Sequence, residues 1–251
     1  MLIDTHSHLF MEPLCQDIEG VLKRADDKRV SAIIVPAVDT ASWNKVAGLS
    51  EYPAIHSALG LHPWCADEEL DPDILKKLLL ETASVAIGEA GLDFKIENPD
   101  RNTQIDVFRV QLDLAAELEL PIILHCRGAF EEMLSILSEY AGRITGVVHA
   151  FTRGMQLADR FIELGFYLAF GGTLTRPGAK RARNSAAGVP LDKILLETDA
   201  PSIGMENVSP DKVEPADVAR VCDSLARLRG IAFEKAARAT TGNAVNLFGL
   251  R

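Results

Sequence analysis

The stretch Ile122-Ile-Leu-His-Cys-Arg-Gly-Ala-Phe-Glu-Glu-Met-Leu-Ser-Ile-Leu-Ser-Glu-Tyr-Ala-Gly-Arg-Ile-Thr-Gly-Val-Val-His149 holds a complete strand–helix–strand unit. Ile122–His125 is a short apolar run rich in β-branched residues, as a strand requires. Phe130, Met133, Leu134 and Leu137 follow at i, i+3, i+4 and i+7, which puts one apolar stripe along a helix. Val147 then opens a second strand, read as Val147–Phe151. Both strand runs are continuously apolar rather than alternating, the mark of strands covered on both faces in a parallel sheet. A helix is the usual crossover between two such strands.

The same alternation extends in both directions. Apolar runs at Leu2–Thr5, Ala32–Val38, Ile55–Leu61, Val85–Glu89, Phe166–Phe170 and Ile194–Asp199 predict six more strands, eight in all. Between them, Asp71-Pro72 supplies a cap and a first-turn proline ahead of Ile74, Leu75, Leu78 and Leu79. Asn102 is read as opening the helix that carries Ile105, Phe108 and Leu112, and Val218, Val221, Cys222 and Leu225 mark another helical stripe. Eight strand–helix units in 251 residues predict a single α/β domain over residues 1–251, a (β/α)8 TIM barrel. The competing doubly wound sheet is disfavoured because no glycine-rich phosphate loop follows the first strand.

Composition sets outer limits. Hydrophobic residues make up 47% and charged residues 25%, the balance of an ordinary globular chain rather than a disordered or collagen-like one. No apolar run is long enough to span a bilayer, and Met1–His8 lacks the basic start and apolar stretch of a secretory leader, so a cytoplasmic protein is expected. Cys15, Cys65, Cys126 and Cys222 show no Cys-x-x-Cys spacing, which points to reduced packing residues. With 36 acidic against 26 basic side chains the net charge is −10, which argues against tracking along a duplex by a basic surface.

In such a barrel the chemistry stands at the C-terminal ends of the strands. Strand 1 ends in His6-Ser-His8, and side chains two apart on a strand point the same way. Strand 4 ends in Gly88-Glu89-Ala-Gly91, where a buried carboxylate is costly unless paired or coordinated. Strands 5 and 6 end in His125 and His149, and strand 8 in Glu197-Thr-Asp199. Any one of these can be a hydrogen-bonded loop residue. Four histidines and two carboxylates on five strand ends together make the inventory for two divalent ions about 3.5–4 Å apart.

The set His6-x-His8, Gly60-Leu-His62-Pro63, Gly88-Glu89-Ala-Gly-Leu-Asp93, His125-Cys-Arg127, Gly146-Val-Val-His149-Ala-Phe151 and Glu197-Thr-Asp199-Ala-Pro201 resembles the TatD family of metal-dependent hydrolases over nearly the whole chain. Ile34–Val38 and Gly171–Pro177 look most like its YjjV-type branch. The resemblance implies a TIM barrel and a metal-dependent deoxyribonuclease or phosphoesterase. It implies one ion held by His6, His8, Glu89 and Asp199 and a second by His125 and His149, with Glu89 bridging. It makes His62 a phosphate contact or an acid near the leaving group. Two departures stand out: Lys212-Val-Glu-Pro215 replaces the family's frequent Arg-Asn-Glu-Pro, and Cys126 stands where Ser or Thr is usual.

Two divalent ions, Zn, Mn, Mg, Co or Ni, are the expected cofactors; four imidazoles favour Zn, Mn, Co or Ni over Mg. They would acidify a water and stabilise charge on phosphoryl oxygens. The expected catalytic residues are Asp199, orienting and deprotonating that water, with Glu89 and His62. His62, Arg127 and Arg176 are the substrate-binding candidates, the arginines for their bidentate fit to phosphate. Arg176, Lys180, Arg181 and Arg183 also follow strand 7, where barrels often bind phosphate, although such a run serves equally as a solvated helix face. Trp64 and Phe151 can stack on a base or pack at the rim, Asp93 can orient a ligand or cap a loop, and His56 reads as a core residue. The expected substrate is a DNA end or a small phosphodiester, with no membrane and no obligate protein partner. The rivals are an amidohydrolase-type dimetal enzyme acting on a lactone, ester or cyclic amide, and a non-catalytic metal-binding protein. Glu89, where related amidohydrolases commonly carry a carboxylated lysine, favours the phosphoesterase.

Overall fold

Strand and helix alternate through the chain in a computed structural model that describes residues 1–250. The first half runs β1 (Leu2–Asp4), α1 (Ile18–Asp27), β2 (Val30–Pro36), α2 (Thr40–Leu49), β3 (Ile55–Leu59), α3 (Pro72–Glu81), β4 (Ala86–Asp93) and α4 (Arg101–Leu118). The second half runs β5 (Ile122–Arg127), α5 (Phe130–Glu139), β6 (Gly146–Val148), α6 (Met155–Glu163), β7 (Tyr167–Phe170), α7 (Lys180–Gly188), β8 (Ile194–Leu196), α8 (Val218–Arg229) and α9 (Phe233–Phe248). All strand pairs are parallel and the order is β1 through β8, a (β/α)8 barrel. No helix among the described residues is long and apolar enough to cross a membrane.

The continuous apolar runs are explained by two cores. Ile3, Ala32, Ile34, Ala58, Ala86, Ile123, Val147, Ala169 and Leu195 point inward, at least one from every strand, and fill the barrel. Their neighbours, such as Ile33, Val35, Leu59, Ile87, Leu124 and Leu196, point outward beneath the helices. Helix α9, which lies beyond the eight predicted units, closes the floor with Ala244, Leu247 and Phe248. Thr241 Oγ1 of α9 donates to the Met1 carbonyl, and Asn243 Nδ2 to those of Leu191 and Ile194.

The seam between β1 and β8 is closed by backbone bonds and one buried carboxyl group. Thr5 N donates to Leu196 O at 3.0 Å, Asp199 N to His6 O at 2.9 Å and His8 N to Ala200 O at 2.7 Å. Asp4 Oδ1 accepts from Thr198 N at 2.8 Å and its Oδ2 from Thr198 Oγ1 at 2.6 Å.

Several boundaries differ from expectation. β1, β6 and β8 stop early, so His6, His8, His149 and Asp199 stand on loops just past the strand ends. β4 instead continues four residues beyond Glu89, with its register broken between Ile87 and Ala90. Helix α4 is capped by Asp100, whose side chain accepts from Asn102 N and Thr103 N, rather than by Asn102. Asp71 caps α3 as expected.

Candidate metal centre

The break in β4 is what delivers Glu89. Gly88 has φ +155° and Gly91 φ +145°, and a Cβ on Gly91 would fall 2.1 Å from the His125 carbonyl oxygen. Only glycine lets β4 press this closely on β5 while Glu89 turns to the axis. The Glu89 amide is anchored to Ala37 O at 3.0 Å, at the end of β2.

Each oxygen of that carboxylate faces its own group of ligands. Glu89 Oε2 lies 3.1 Å from His6 Nε2 and 3.7 Å from His8 Nε2, with Asp199 Oδ1 3.4 Å from His8 Nε2. Glu89 Oε1 lies 2.9 Å from both His125 Nδ1 and His149 Nε2, and 3.5 Å from His62 Nε2. The His6 and His149 rings stack at 4.2 Å where the two groups meet. The structure thus brings together all six residues read from the sequence as ligands, and adds His62 beside them.

Ring orientation sorts the histidines. His8 Nδ1 sits 3.2 Å from the Pro36 carbonyl, which requires a proton there and turns Nε2 toward the cluster, the orientation of a metal ligand. His62 is the reverse: its Nδ1 accepts from Trp64 N at 3.1 Å, so the proton resides on Nε2. His62 is therefore built to donate. Burial lowers its pKa to about 4, which keeps the ring neutral at ordinary pH.

Burial also works against charge on Glu89, but the imidazoles of His149, His6 and His62 and a hydrogen bond from His125 outweigh it and hold the carboxyl well below its usual range. Asp199 is likewise lowered, burial being outweighed by the neighbouring imidazoles of His8, His6 and His149. His149 is raised well above its usual value because Glu89 and Glu197 overcome the burial penalty. The buried atoms His6 Nδ1, His149 Nδ1 and Asp199 Oδ1 have no hydrogen-bond partner. Converging nitrogen and carboxylate donors, buried and partly unpaired, are a set that divalent cations satisfy.

Supporting side chains that sequence reasoning passed over hold this arrangement. Glu197 is buried and accepts from Ala150 N at 2.6 Å, fixing the turn after His149. Asp4 ties the strand before His6 to the residue before Asp199. Two glutamines on one face of α4 clamp neighbouring loops: Gln111 exchanges both bonds with Leu61, before His62, and Gln104 both with Asp93. Their spacing of two helical turns was the available signal, since buried glutamine in a helix needs partners.

A cavity of about 520 Å³ opens beside the cluster, lined by Trp64, His125, Arg127, His149, Arg153 and Asp199 among others. Asp93 is fully buried and caps its loop, accepting from Lys95 N at 2.9 Å and from Trp64 Nε1 at 2.8 Å, and it lies 3.5 Å from His125 Nε2 without a hydrogen bond to it. Arg127, largely exposed, reaches Asp93 at 3.5 Å. Trp64 is 52% exposed, with its indole nitrogen tethered and its ring at the mouth.

Other expectations are corrected. Arg176 is absent from the lining of this cavity, because its Nη2 is bonded to Gly204 O at 2.7 Å, bracing the loop after β7 on the loop after β8. Arg183 is similarly bonded to Leu174 O. Phe151 is 2% exposed and packs edge-on against Phe161 and Phe170, so it is core rather than a stacking platform. His56 is only partly buried within β3 and joins none of the ligand groups. Cys126, its pKa pushed up to about 12 by burial, is a thiol and no nucleophile. Glu214, from the departing loop, binds Arg24 Nε at 2.8 Å and is a fold anchor. Asp39, Cys65 and Glu68 also converge, but Asp39 caps α2 and Glu68 accepts from Thr40 N and Oγ1.

The family model described as TatD related DNase matches residues 3–249. The chain belongs to the TatD family. Its TatD relatives include the metal-dependent hydrolase YabD of Bacillus subtilis, 36% identical over 252 residues and 99% of each chain. The crystal structure of YjjV, a TatD homologue from Escherichia coli, superposes with a TM-score of 0.92 at 35% identity, covering 100% of this chain and 98% of that one. A mouse relative named as a candidate deoxyribonuclease, TATDN3, is 29% identical over 266 residues, 98% of this chain and 88% of its own. The protein is thus a metal-dependent hydrolase of the TatD family.

Proposed function

We propose that this hydrolase cleaves phosphodiester bonds, acting at DNA ends or on short single strands with two divalent ions bound. The observation that carries the reading is Glu89, whose two oxygens face separate imidazole groups. His6, His8, Asp199 and Glu89 Oε2 would hold one ion, and His125, His149 and Glu89 Oε1 the other. Bound there, Zn, Mn, Co, Ni or Mg would supply Lewis acidity that activates a water and neutralises charge developing on the phosphoryl oxygens.

The chain's own groups do the rest. Asp199 keeps its carboxylate charged and lines both the ligand cluster and the larger cavity, so it is placed to orient the attacking water and accept its proton. His62, neutral with its proton on Nε2 at the same cluster, can donate a hydrogen bond to the leaving oxygen or to a phosphoryl oxygen. Arg127 stands at the mouth as a phosphate grip, and Trp64 offers a ring to a base. The family membership and the name of the TATDN3 relative support nucleic acid as the substrate class. A net charge of −10 favours ends and short strands over long duplex.

The test is a time course of metal-reconstituted protein on end-labelled single-stranded DNA, beside a Glu89→Ala protein purified identically. Stepwise shortening that disappears in the variant is expected and would give the polarity. Absence of cleavage by folded, metal-loaded protein would remove DNA and direct the search to small phosphodiesters, then lactones and cyclic amides.

A further inference from the structure

Arg153 lies four residues beyond His149, on the loop between β6 and α6, in the wall of the cavity beside the metal cluster. Its guanidinium rests over the Phe130 ring, 4.6 Å from the centroid. An arginine stacked this way is held flat with its N–H edge free to bind. Its Nε is buried and has no hydrogen-bond partner. The loop is fixed beneath it, since the Arg153 carbonyl accepts from Ser185 Oγ at 2.6 Å. A buried donor left unpaired is costly, and a rigid, unpaired, cationic donor at a cavity wall points to an anionic ligand.

The cavity beside the metal cluster does not end at Arg153. A second cavity, also of about 520 Å³, shares Phe130 and Arg153 with the first and continues past Gly128 to Lys95. The Lys95 stem lies across Gly128, where any side chain would press on it. Of the acidic residues along this second cavity, Glu131 is paired with Arg160 at 2.7 Å and Glu132 is exposed to solvent.

We infer that Arg153 binds the phosphate next to the scissile one, and that a single strand leaves the metal cluster over Phe130 toward Lys95. This rests on the phosphodiesterase reading and narrows it: the substrate carries at least two phosphates. A one-phosphate diester fills the metal cluster and leaves Arg153 without a partner.

Two measurements test it. In the first, metal-free protein is titrated with fluorescein-labelled hexathymidylate over a range of salt, followed by anisotropy. Arg153→Gln is expected to weaken binding about tenfold and to flatten the slope of log Kd against log salt by about 0.7, the share of one single-strand phosphate contact. Arg153→Lys should keep the slope and recover only part of the affinity, because it restores the charge without the fork. In the second, the metal-loaded protein is assayed on bis(p-nitrophenyl) phosphate and on a 5′-phosphorylated dinucleotide. Arg153→Gln should raise KM for the dinucleotide about tenfold more than for the single-phosphate ester. An unchanged salt slope, no binding of the hexathymidylate by the parent protein, or an equal rise in both KM values overturns the subsite. Failure of the metal-loaded parent to hydrolyse either compound overturns the phosphodiesterase reading instead.

Discussion

The two ends of the barrel are built from the same strands and obey opposite rules. At the floor, Ile3, Ala58, Ile123 and Leu195 meet Leu247 and Phe248 of α9 in a wholly apolar plug. At the mouth, at or just past the ends of the same strands, His6, His62, His125 and Asp199 crowd around Glu89, and all but His62 keep a buried polar atom unpaired. The floor gains stability from apolar burial, whereas the mouth places charge where burial penalises it. A rigid apolar end is what allows an electrostatically costly end to be held in register.

The sharpest way to break this contrast is at Glu89. Glu89→Ala is expected to lower kcat/KM by roughly 10³-fold or more and to reduce the bound metal per chain, read by elemental analysis beside the assay. Full metal content with near-normal turnover would show that the carboxylate does not join the two groups.

Leu195→Ala attacks the other end. It should cost about 2–5 kcal/mol in urea denaturation while leaving kcat of the metal-loaded protein within about twofold. Chelation and Leu195→Ala should also destabilise additively, within about 0.5 kcal/mol, if the ends are independent. A kcat that falls in step with stability would mean the mouth relaxes when the floor does.

His62→Ala separates hydrogen-bond donation from metal binding. It is expected to lower kcat by about 10²-fold with metal content retained, as for loss of one preorganised donor to a phosphoryl or leaving oxygen. Loss of metal from this variant would make His62 a ligand instead. The smallest effect is expected at Arg24→Ala, which cuts the half-exposed bond to Glu214. It should cost less than about 1 kcal/mol and leave kcat/KM unaltered, placing the unusual Lys212–Pro215 loop outside the chemistry.

Much of this contrast is written in the sequence, because strand burial and ligand chemistry both leave strong local marks. Continuous apolar runs announce a two-sided sheet, and His6-x-His8, Glu89, His125, His149 and Asp199 stand where each run turns polar. What escaped has a common cause: it depends on pairs far apart in the chain. Asp4 and Thr198 are 194 residues apart, so neither reveals the seam they close. Glu89 looks like the end of a strand because nothing in the run itself shows that β5 requires Gly91 at close range and lets β4 continue. Arg176 looks free until Gly204, on another loop, takes its guanidinium. Arg153 gave no signal, since its partner ring belongs to the preceding helix.

Helix α9 bears on how the molecule is made. The plug beneath β1 is supplied by Leu247 and Phe248, which are synthesised more than 240 residues after β1. At ordinary elongation rates, on the order of tens of seconds separate the two. Once β8 is made, the barrel still has an apolar bore with no stopper, so the emergence of α9, rather than any early strand pairing, decides when the barrel is sealed.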